Sequence, residues 1–228
     1  MNKALKHIAI IMDGNNRWAK SNNLSTEEGH EEGARNAFRI IQSAIKLNIQ
    51  HCSLYVFSSE NLQRPKHEVD NIIKLINYYV TNEINKTLEI GVKLRFIGDL
   101  SYLDTSTIEN LSYAEKICGN NNKICVNIML CYGSRSEIVY ACKKIIDSGI
   151  KQQDLDEEIF ASNLYDRIPD VDLLIRTGDK MRISNFLLWQ SAYAELFFSK
   201  KMWPEFNEQD LKEAIVEYNS RSRTFGKR

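Results

Sequence analysis

A cluster of polar residues directly follows an apolar segment near the start of the chain. Residues 8–12 are all apolar, and Asp-Gly-Asn-Asn-Arg follows at positions 13–17. A carboxylate can hold Mg²⁺, the N–H groups of a glycine-containing turn can bind an anion, and an arginine can bind two phosphate oxygens at once. The segment therefore predicts a diphosphate–Mg²⁺ site. Alternatively, Asp-Gly-Asn is a plain turn without a ligand.

The elements that position this segment alternate between predicted strands and helices. The predicted strands are short segments rich in apolar residues and followed by glycine or polar residues, at residues 8–12, 53–57, 92–97, 124–131 and 171–175. The predicted helices show apolar residues at helical spacing, and the main ones lie at residues 25–47, 65–80, 101–118, 134–147 and 208–218. This alternation predicts an α/β fold, a single domain over residues 1–228 with a mostly parallel sheet flanked by helices.

Polar side chains gather at the predicted strand ends and on the segments beside them. In open α/β sheets, ligands bind beyond the carboxyl ends of the strands. The residues expected there are Asp13, Asn15, Arg17, His30, Ser58, Glu60, Asn61, Arg64, Arg176, Arg182 and Ser184. Since the planar guanidinium suits phosphate oxygens, four arginines at this edge predict more than one bound polyanion, although each arginine alone can be an ordinary surface residue.

Glu195 stands apart from that cluster, in the segment Tyr-Ala-Glu-Leu at residues 193–196. A carboxylate among apolar residues needs a cation or hydrogen-bond donors. Glu195 is therefore either a further ligand residue or one half of a structural salt bridge.

Composition excludes several classes of protein. The 228 residues carry 30 Lys+Arg and 30 Asp+Glu, so no overall positive charge favours a nucleic-acid partner. The first apolar run ends after five residues, which is too short for a signal peptide or a membrane helix. Five cysteines without a Cys-x-x-Cys spacing are typical of reduced thiols in a cytoplasmic protein. No Gly-x-Gly-x-x-Gly follows the first strand, which excludes a Rossmann-type nucleotide site.

Four blocks of the chain resemble motifs of the cis-prenyltransferases, the undecaprenyl diphosphate synthase family. Residues 7–18 are similar to that family's HxAxIMDGNxRWA signature, and residues 58–65 to its SSENWxRP motif. Residues 176–195 resemble the family's third motif block. Trp203-Pro204 and Phe225-Gly226 resemble its C-terminal segment. The resemblance covers about residues 7–226 with the motifs in family order, and the Asp-Asp-x-x-Asp boxes of trans-prenyltransferases are missing.

The resemblance implies a fold with an apolar product tunnel between the helices and the sheet. It implies a homodimeric, Mg²⁺-dependent enzyme that adds isopentenyl diphosphate repeatedly to an allylic diphosphate such as farnesyl diphosphate, with each new double bond in cis. The expected product is a polyprenyl diphosphate, such as the undecaprenyl diphosphate used in cell-wall lipid carrier synthesis. Such an enzyme would act in the cytoplasm and touch the membrane through its lipid product.

Individual roles follow from matching positions in the family motifs. Asp13 would hold Mg²⁺, and Glu195 would reach the metal region across the dimer. The residues expected to hold the allylic diphosphate or line its site are Gly14, Asn15, Asn16, Arg17, Trp18, His30, Ser58 and Glu60. Asn61 and Arg64 would act with Asp13 in catalysis, and the isopentenyl diphosphate site would contain Arg176, Arg182 and Ser184.

The chain departs from the family pattern at several positions. Thr26 replaces an arginine expected at the allylic diphosphate, and the remaining departures are Leu62, Cys131, Ser134, Met181 and Thr224. Because the core motif residues are present, we expect an active enzyme. The alternative is a divergent, inactive binding subunit of a synthase with a second chain.

Three larger side chains affect the expected product length. Val56 and the neighbouring pair Met129 and Leu130 occupy positions where long-chain family members often carry small residues facing the tunnel. Strand neighbours point to opposite faces, so we expect one of Met129 and Leu130 to narrow the tunnel. The prediction is a product shorter or more mixed than C55, unless neighbouring helices compensate.

Overall fold

Six parallel strands form the sheet that carries the candidate site. The computed structural model describes residues 4–221. Its strands are β1 (His7–Ile11), β2 (His51–Tyr55), β3 (Val92–Ile97), β4 (Ile124–Met129), β5 (Leu173–Arg176) and β6 (Glu195–Phe198). They lie in the order β3-β4-β2-β1-β5-β6, and every neighbouring pair is parallel. All carboxyl ends therefore meet at one edge, as the predicted alternation of strands and helices requires.

Eight α-helices lie within the described residues. They are α1 (Asn15–Ser21), α2 (Thr26–Lys46), α3 (Lys66–Asn82), α4 (Ile84–Glu89), α5 (Thr105–Cys118), α6 (Ser134–Asp147), α7 (Glu157–Ser162) and α8 (Glu208–Ser220). Helix α2 begins with a capping box, in which the side chains of Ser25 and Glu28 each bond the other's backbone N–H.

The two faces of the sheet carry separate apolar clusters. One face contributes Ile8, Ile10 and Leu54 to the main core, which also contains the buried faces of α2, α3 and α5. The other face carries Ala9 and Ile11, packed with a smaller set that includes Met129 and Phe186. Period-two alternation along β1 thus places an apolar layer on both sides, as expected for a buried parallel sheet.

Helix α1 packs tightly against α2 at two glycines. A Cβ atom on Gly29 would lie 2.7 Å from the carbonyl oxygen of Asn15, and one on Gly33 would lie 2.6 Å from Asn15 Oδ1. Only glycine permits this approach. The contact fixes the start of α1, and with it the polar segment that follows β1.

The predicted strands and helices are confirmed with shifts of up to four residues at their ends, while the short helices α4 and α7 were not predicted. Residues 15–21 form a helix where a turn was expected, and β4 ends at Met129 rather than Cys131. The edge strand β6 was not predicted, because its four residues follow a long irregular segment and only the pairing with β5 makes them a strand. The family-like residues Thr224, Phe225 and Gly226 lie outside the described residues.

Candidate active site

A large cavity opens at the carboxyl edge of the sheet. Its volume is about 1350 Å³, which exceeds the range of roughly 300–1,000 Å³ that is usual for small-molecule pockets. Its mouth is lined by Asp13, Arg17, His30, Arg176 and Arg182. Its body runs between α2, α3 and the sheet and is mainly apolar, with Phe38, Ile41, Leu54, Val56, Ile72, Ile76, Val80, Leu94, Phe96 and Ile128 among its lining residues. The expected apolar tunnel is therefore present.

Asp13 lies at the mouth between two guanidinium groups. Arg176 Nη2 donates to Asp13 Oδ2 at 2.8 Å, and Arg17 Nη2 donates to Asp13 Oδ1 at 3.2 Å. The Asp13 side chain is 28% exposed, so its carboxylate can be reached from the cavity. The predicted meeting of a carboxylate with arginines from two separate motifs is therefore found.

Arg176 connects Asp13 to the loop that follows β5. Its Nη1 group donates to Ser184 Oγ at 2.6 Å and to the carbonyl oxygen of Arg182 at 2.7 Å. The Arg176 side chain is only 5% exposed, and its Nε atom has no protein partner in the structure. Arg182 is exposed, and no protein partner appears for its guanidinium among the contacts of the described residues. The guanidinium of Arg182 is thus available for an anion in the mouth.

The segment from Gly14 to Asn16 forms the floor of the mouth. Gly14 has φ 121°, and a Cβ atom there would lie 2.9 Å from Met202 Sδ, so the position requires glycine. Asn15 Oδ1 is buried without a protein partner, and Asn16 Oδ1 accepts a hydrogen bond from Thr26 Oγ1 at 3.2 Å. Arg17 is held by its bond to the carbonyl oxygen of Gly178 at 2.7 Å.

His30 enters the mouth from α2. Burial, together with the nearby charge of Arg64, lowers the pKa of His30 below its usual value. The imidazole is therefore neutral near pH 7, and one ring N–H can donate to a ligand oxygen.

Residues 58–64 form the opposite side of the mouth. Ser58 Oγ accepts from the Asn61 N–H at 3.2 Å, and Asn61 Oδ1 accepts from the Ser58 N–H at 3.1 Å. This reciprocal cap folds the segment into the 3₁₀ helix Ser59–Gln63. Glu60 Oε1 accepts from Asn185 Nδ2 at 2.8 Å, while Arg64 is exposed at the rim.

Two predicted residues do not line the cavity. Trp18 is half-buried elsewhere on α1, and Glu195 begins β6, level with Leu173 at the amino end of β5. Asp13 lies beyond Ile11, which pairs with the carboxyl end of β5, so about 15 Å of sheet separates Asp13 from Glu195 along the strands. Glu195 Oε2 instead accepts from Arg221 Nη1 at 2.7 Å. Within one chain Glu195 therefore has the structural salt bridge, and its role across a dimer stays a prediction.

The structure shows the surroundings of four positions that depart from the family pattern. Ser134 Oγ accepts from the Leu188 N–H at 2.8 Å and so holds the loop after β5. Leu62 packs against the main core, and Met181 is 81% exposed. Cys131 has φ 48°, a conformation that asparagine adopts more readily than cysteine.

Asn185 is a site residue that motif assignment alone did not select. It lines the cavity, donates to Glu60 Oε1 in the residue 58–64 segment and accepts from the Arg135 N–H at the start of α6. Its position directly after Ser184, in the Arg-Ile-Ser-Asn segment, was the available sequence signal.

The donor atoms at the mouth fit a Mg²⁺ ion that is bound together with a diphosphate. No group of three or more His, Cys, Asp or Glu residues suited to a metal occurs in residues 4–221. Mg²⁺ usually takes one or two protein carboxylates and fills its shell with water and phosphate oxygens. Asp13 is partly exposed and shares the mouth with the exposed guanidinium of Arg182, which suits that mode.

Comparisons with known proteins agree with this geometry. The prenyltransferase family model described as undecaprenyl diphosphate synthase matches residues 11–226. An isoprenyl transferase of Rickettsia typhi is 52% identical over 225 residues, covering 98% of this chain and 99% of the relative. An isoprenyl transferase of Fusobacterium nucleatum is 41% identical over 221 residues, covering 97% of this chain and 95% of the relative.

Two solved structures share the fold. Lavandulyl diphosphate synthase from Lavandula x intermedia, solved with dimethylallyl diphosphate, has a TM-score of 0.93 and 33% identity, covering 97% of this chain and 98% of that one. A probable undecaprenyl diphosphate synthase from Campylobacter jejuni has a TM-score of 0.84 and 36% identity, with full coverage of both chains. Among the described helices, none is long and apolar enough to cross a membrane. The chain is a prenyltransferase and belongs to the undecaprenyl diphosphate synthase family.

Proposed function

We propose that this chain is a Mg²⁺-dependent cis-prenyl elongating enzyme that adds isopentenyl diphosphate to an allylic diphosphate, with farnesyl diphosphate as the primer. The product is a polyprenyl diphosphate of the undecaprenyl type, which serves cell-wall lipid carrier synthesis. The enzyme acts as a homodimer in the cytoplasm and releases its lipid product to a membrane.

One observation carries the proposal. A single cavity has a cationic mouth, with Arg17, Arg176 and Arg182 around Asp13, and a long apolar body. A molecule with a diphosphate head and a hydrocarbon tail matches both parts. A water-soluble phosphate ester would leave the apolar body unfilled.

The chemistry assigns tasks to the residues of the mouth. The C–O bond of the allylic diphosphate breaks, the alkene of isopentenyl diphosphate bonds to the freed carbon, and loss of a proton restores a double bond. Arg17, His30 and the residue 14–16 segment hold the leaving diphosphate, so its developing charge is stabilised where it forms. A bound Mg²⁺ would be held by Asp13 and would supply further charge neutralisation at the diphosphate.

The second substrate requires alignment more than activation. Arg182 and Ser184, set by Arg176, hold the diphosphate of isopentenyl diphosphate. Ser58, Glu60, Asn61 and Arg64 lie across the mouth and keep the two reacting ends together. Each elongation step moves the growing tail deeper into the apolar body.

The test is turnover by the purified chain. Farnesyl diphosphate, labelled isopentenyl diphosphate and Mg²⁺ are incubated with the protein, and the extracted lipids are separated by length. We expect labelled polyprenyl diphosphates that disappear when a chelator removes Mg²⁺ and return when Mg²⁺ is added back. Absence of product from a folded chain that binds farnesyl diphosphate would instead support an inactive binding subunit.

A further inference from the structure

One side-chain amide joins three segments at the mouth of the cavity. Asn185 Nδ2 donates to Glu60 Oε1 at 2.8 Å, and Asn185 Oδ1 accepts from the Arg135 N–H at 2.9 Å. The carbonyl oxygen of Asn185 also accepts from the Ser134 N–H at 2.9 Å. Both polar atoms of this amide are therefore used, each toward a different segment.

The backbone around Asn185 is held in an unusual conformation. Ser184, Asn185 and Leu187 have φ values of 48°, 60° and 46°, in the left-handed region that few non-glycine residues adopt. Such conformations persist where surrounding contacts impose them. Asparagine tolerates this region better than most residues, which suits position 185.

The three segments meet at Gly133, where there is no room for a side chain. A Cβ atom on Gly133 would lie 2.8 Å from Asn185 Nδ2 and 2.4 Å from Ser59 Oγ. Gly133 therefore leaves the space in which the amide of Asn185 crosses from the α6 segment to the segment that carries Glu60.

We propose that Asn185 is a positioning residue that fixes the loop after β5, which carries Arg182 and Ser184, relative to the residue 58–64 segment. This inference rests on the proposed function, because only that function places one substrate at the loop after β5 and another at the residue 58–64 segment. Ser184 contacts Arg176 on one side of the amide, and Glu60 lies next to Asn61 on the other. A bond-forming step needs its reacting atoms held about 3–3.5 Å apart, and an error of about 1 Å can cost on the order of a hundredfold in rate.

A reversal of the hydrogen bond tests this role. Asn185→Asp keeps the acceptor for the Arg135 N–H but places a carboxylate against Glu60, whereas Glu60→Gln combined with Asn185→Asp restores a bond with donor and acceptor exchanged. We expect Asn185→Asp to lower kcat about tenfold or more, with the Kd of each substrate alone changed less than about threefold. Glu60→Gln alone measures the loss that comes from Glu60 itself, and the double variant should lose clearly less kcat, on a logarithmic scale, than the two single variants added together.

Hydrogen exchange gives a readout that does not depend on turnover. Asn185→Ala should accelerate exchange about tenfold or more in residues 133–136 and also in the separate segment Ser59–Gln63. A wild-type kcat in Asn185→Asp, a loss in the double variant equal to or greater than the sum of the two single losses, or unchanged exchange in Ser59–Gln63 would each overturn the proposal. An inactive wild-type chain would instead defeat the proposed function, and the exchange result would still decide whether Asn185 links the segments.

Discussion

Asp13 and Arg176 form a partly buried ion pair at the mouth of the cavity, with 2.8 Å between Oδ2 and Nη2. Removing one partner of a buried pair leaves an uncompensated charge, which costs about 3–5 kcal/mol when both partners are fully buried. Asp13 is 28% exposed, so we expect a smaller loss here. A probe of Asp13 should therefore be Asp13→Asn, which keeps an oxygen for Arg176, in preference to alanine.

The buried histidine of β1 predicts how stability depends on pH. Burial lowers the pKa of His7 to about 4, against an opposing hydrogen bond to the carbonyl oxygen of Pro169. The unfolded chain binds this proton below about pH 6.5, so stability is lost as pH falls from about 6.5 to 4, by about 3 kcal/mol in total. Urea unfolding across this range should show the loss, and His7→Gln should have a shallower slope. Equal slopes would contradict the assignment.

Position 26 predicts the affinity for the allylic substrate. Thr26 lines the mouth beside Asn16 but offers only a hydroxyl group, where a guanidinium could form charge-assisted bonds worth about 1.5–3 kcal/mol. We expect Thr26→Arg to lower the KM for farnesyl diphosphate about tenfold and to leave the KM for isopentenyl diphosphate unchanged. Thr26→Gln is the neutral control. An unchanged allylic KM would mean that another residue already fills this role.

The residues that line the tunnel predict product length, and they differ from those that the sequence suggested. Val56 lines the cavity as expected, but Met129 packs on the opposite face of the sheet, and Leu130 is buried in the core without lining the cavity. The prediction that Met129 or Leu130 narrows the tunnel was therefore wrong. Within β4 the residue that lines the cavity is Ile128, because alternation along the strand places it on the face opposite to Met129.

We expect Val56→Ala and Ile128→Ala to shift the products of the labelled assay toward longer chains. The tunnel walls are close-packed and move little, so removing side-chain atoms lengthens the space for the product. Met129→Ala is the matched control. It removes a side chain of similar size from the other face, and should lower stability by about 2–5 kcal/mol without lengthening the products. The explanation that side-chain volume in the tunnel limits product length would be refuted in two cases. Either Met129→Ala gives longer products, or Val56→Ala and Ile128→Ala give products of unchanged length.

Glu195 predicts complementation between subunits. Glu195 lies away from the cavity of its own chain and bonds to Arg221. If Glu195 acts on a metal, that metal must therefore lie in the site of the second subunit. A mixture of Asp13→Asn and Glu195→Gln chains should regain part of the wild-type activity, because one site of the hybrid dimer holds both carboxylates. As a control, subunit exchange is measured by means of an affinity tag on one of the two chains. Exchange without regained activity would exclude the role across the dimer.

The sequence predicted the sheet because five of its strands are short, apolar-rich segments that end near glycine or polar residues, and their parallel order brings Asp13 and Arg176 together. It could not predict β6, which depends on pairing with β5, or which neighbour in β4 lines the tunnel, which depends on where that strand ends. Asn185 was missed for a similar reason. Its function comes from contacts with segments 50 and 125 residues away.

The most direct test of the account is elongation by wild-type and Asp13→Asn chains under matched conditions. Labelled isopentenyl diphosphate incorporation into farnesyl diphosphate is followed over a range of Mg²⁺ concentrations, with melting temperature as the check on folding. We predict Mg²⁺-dependent polyprenyl products from the wild type, and a loss of several orders of magnitude in Asp13→Asn, because a carboxylate-held cation supplies several kcal/mol of charge stabilisation. Near wild-type elongation by a folded Asp13→Asn chain would contradict the account.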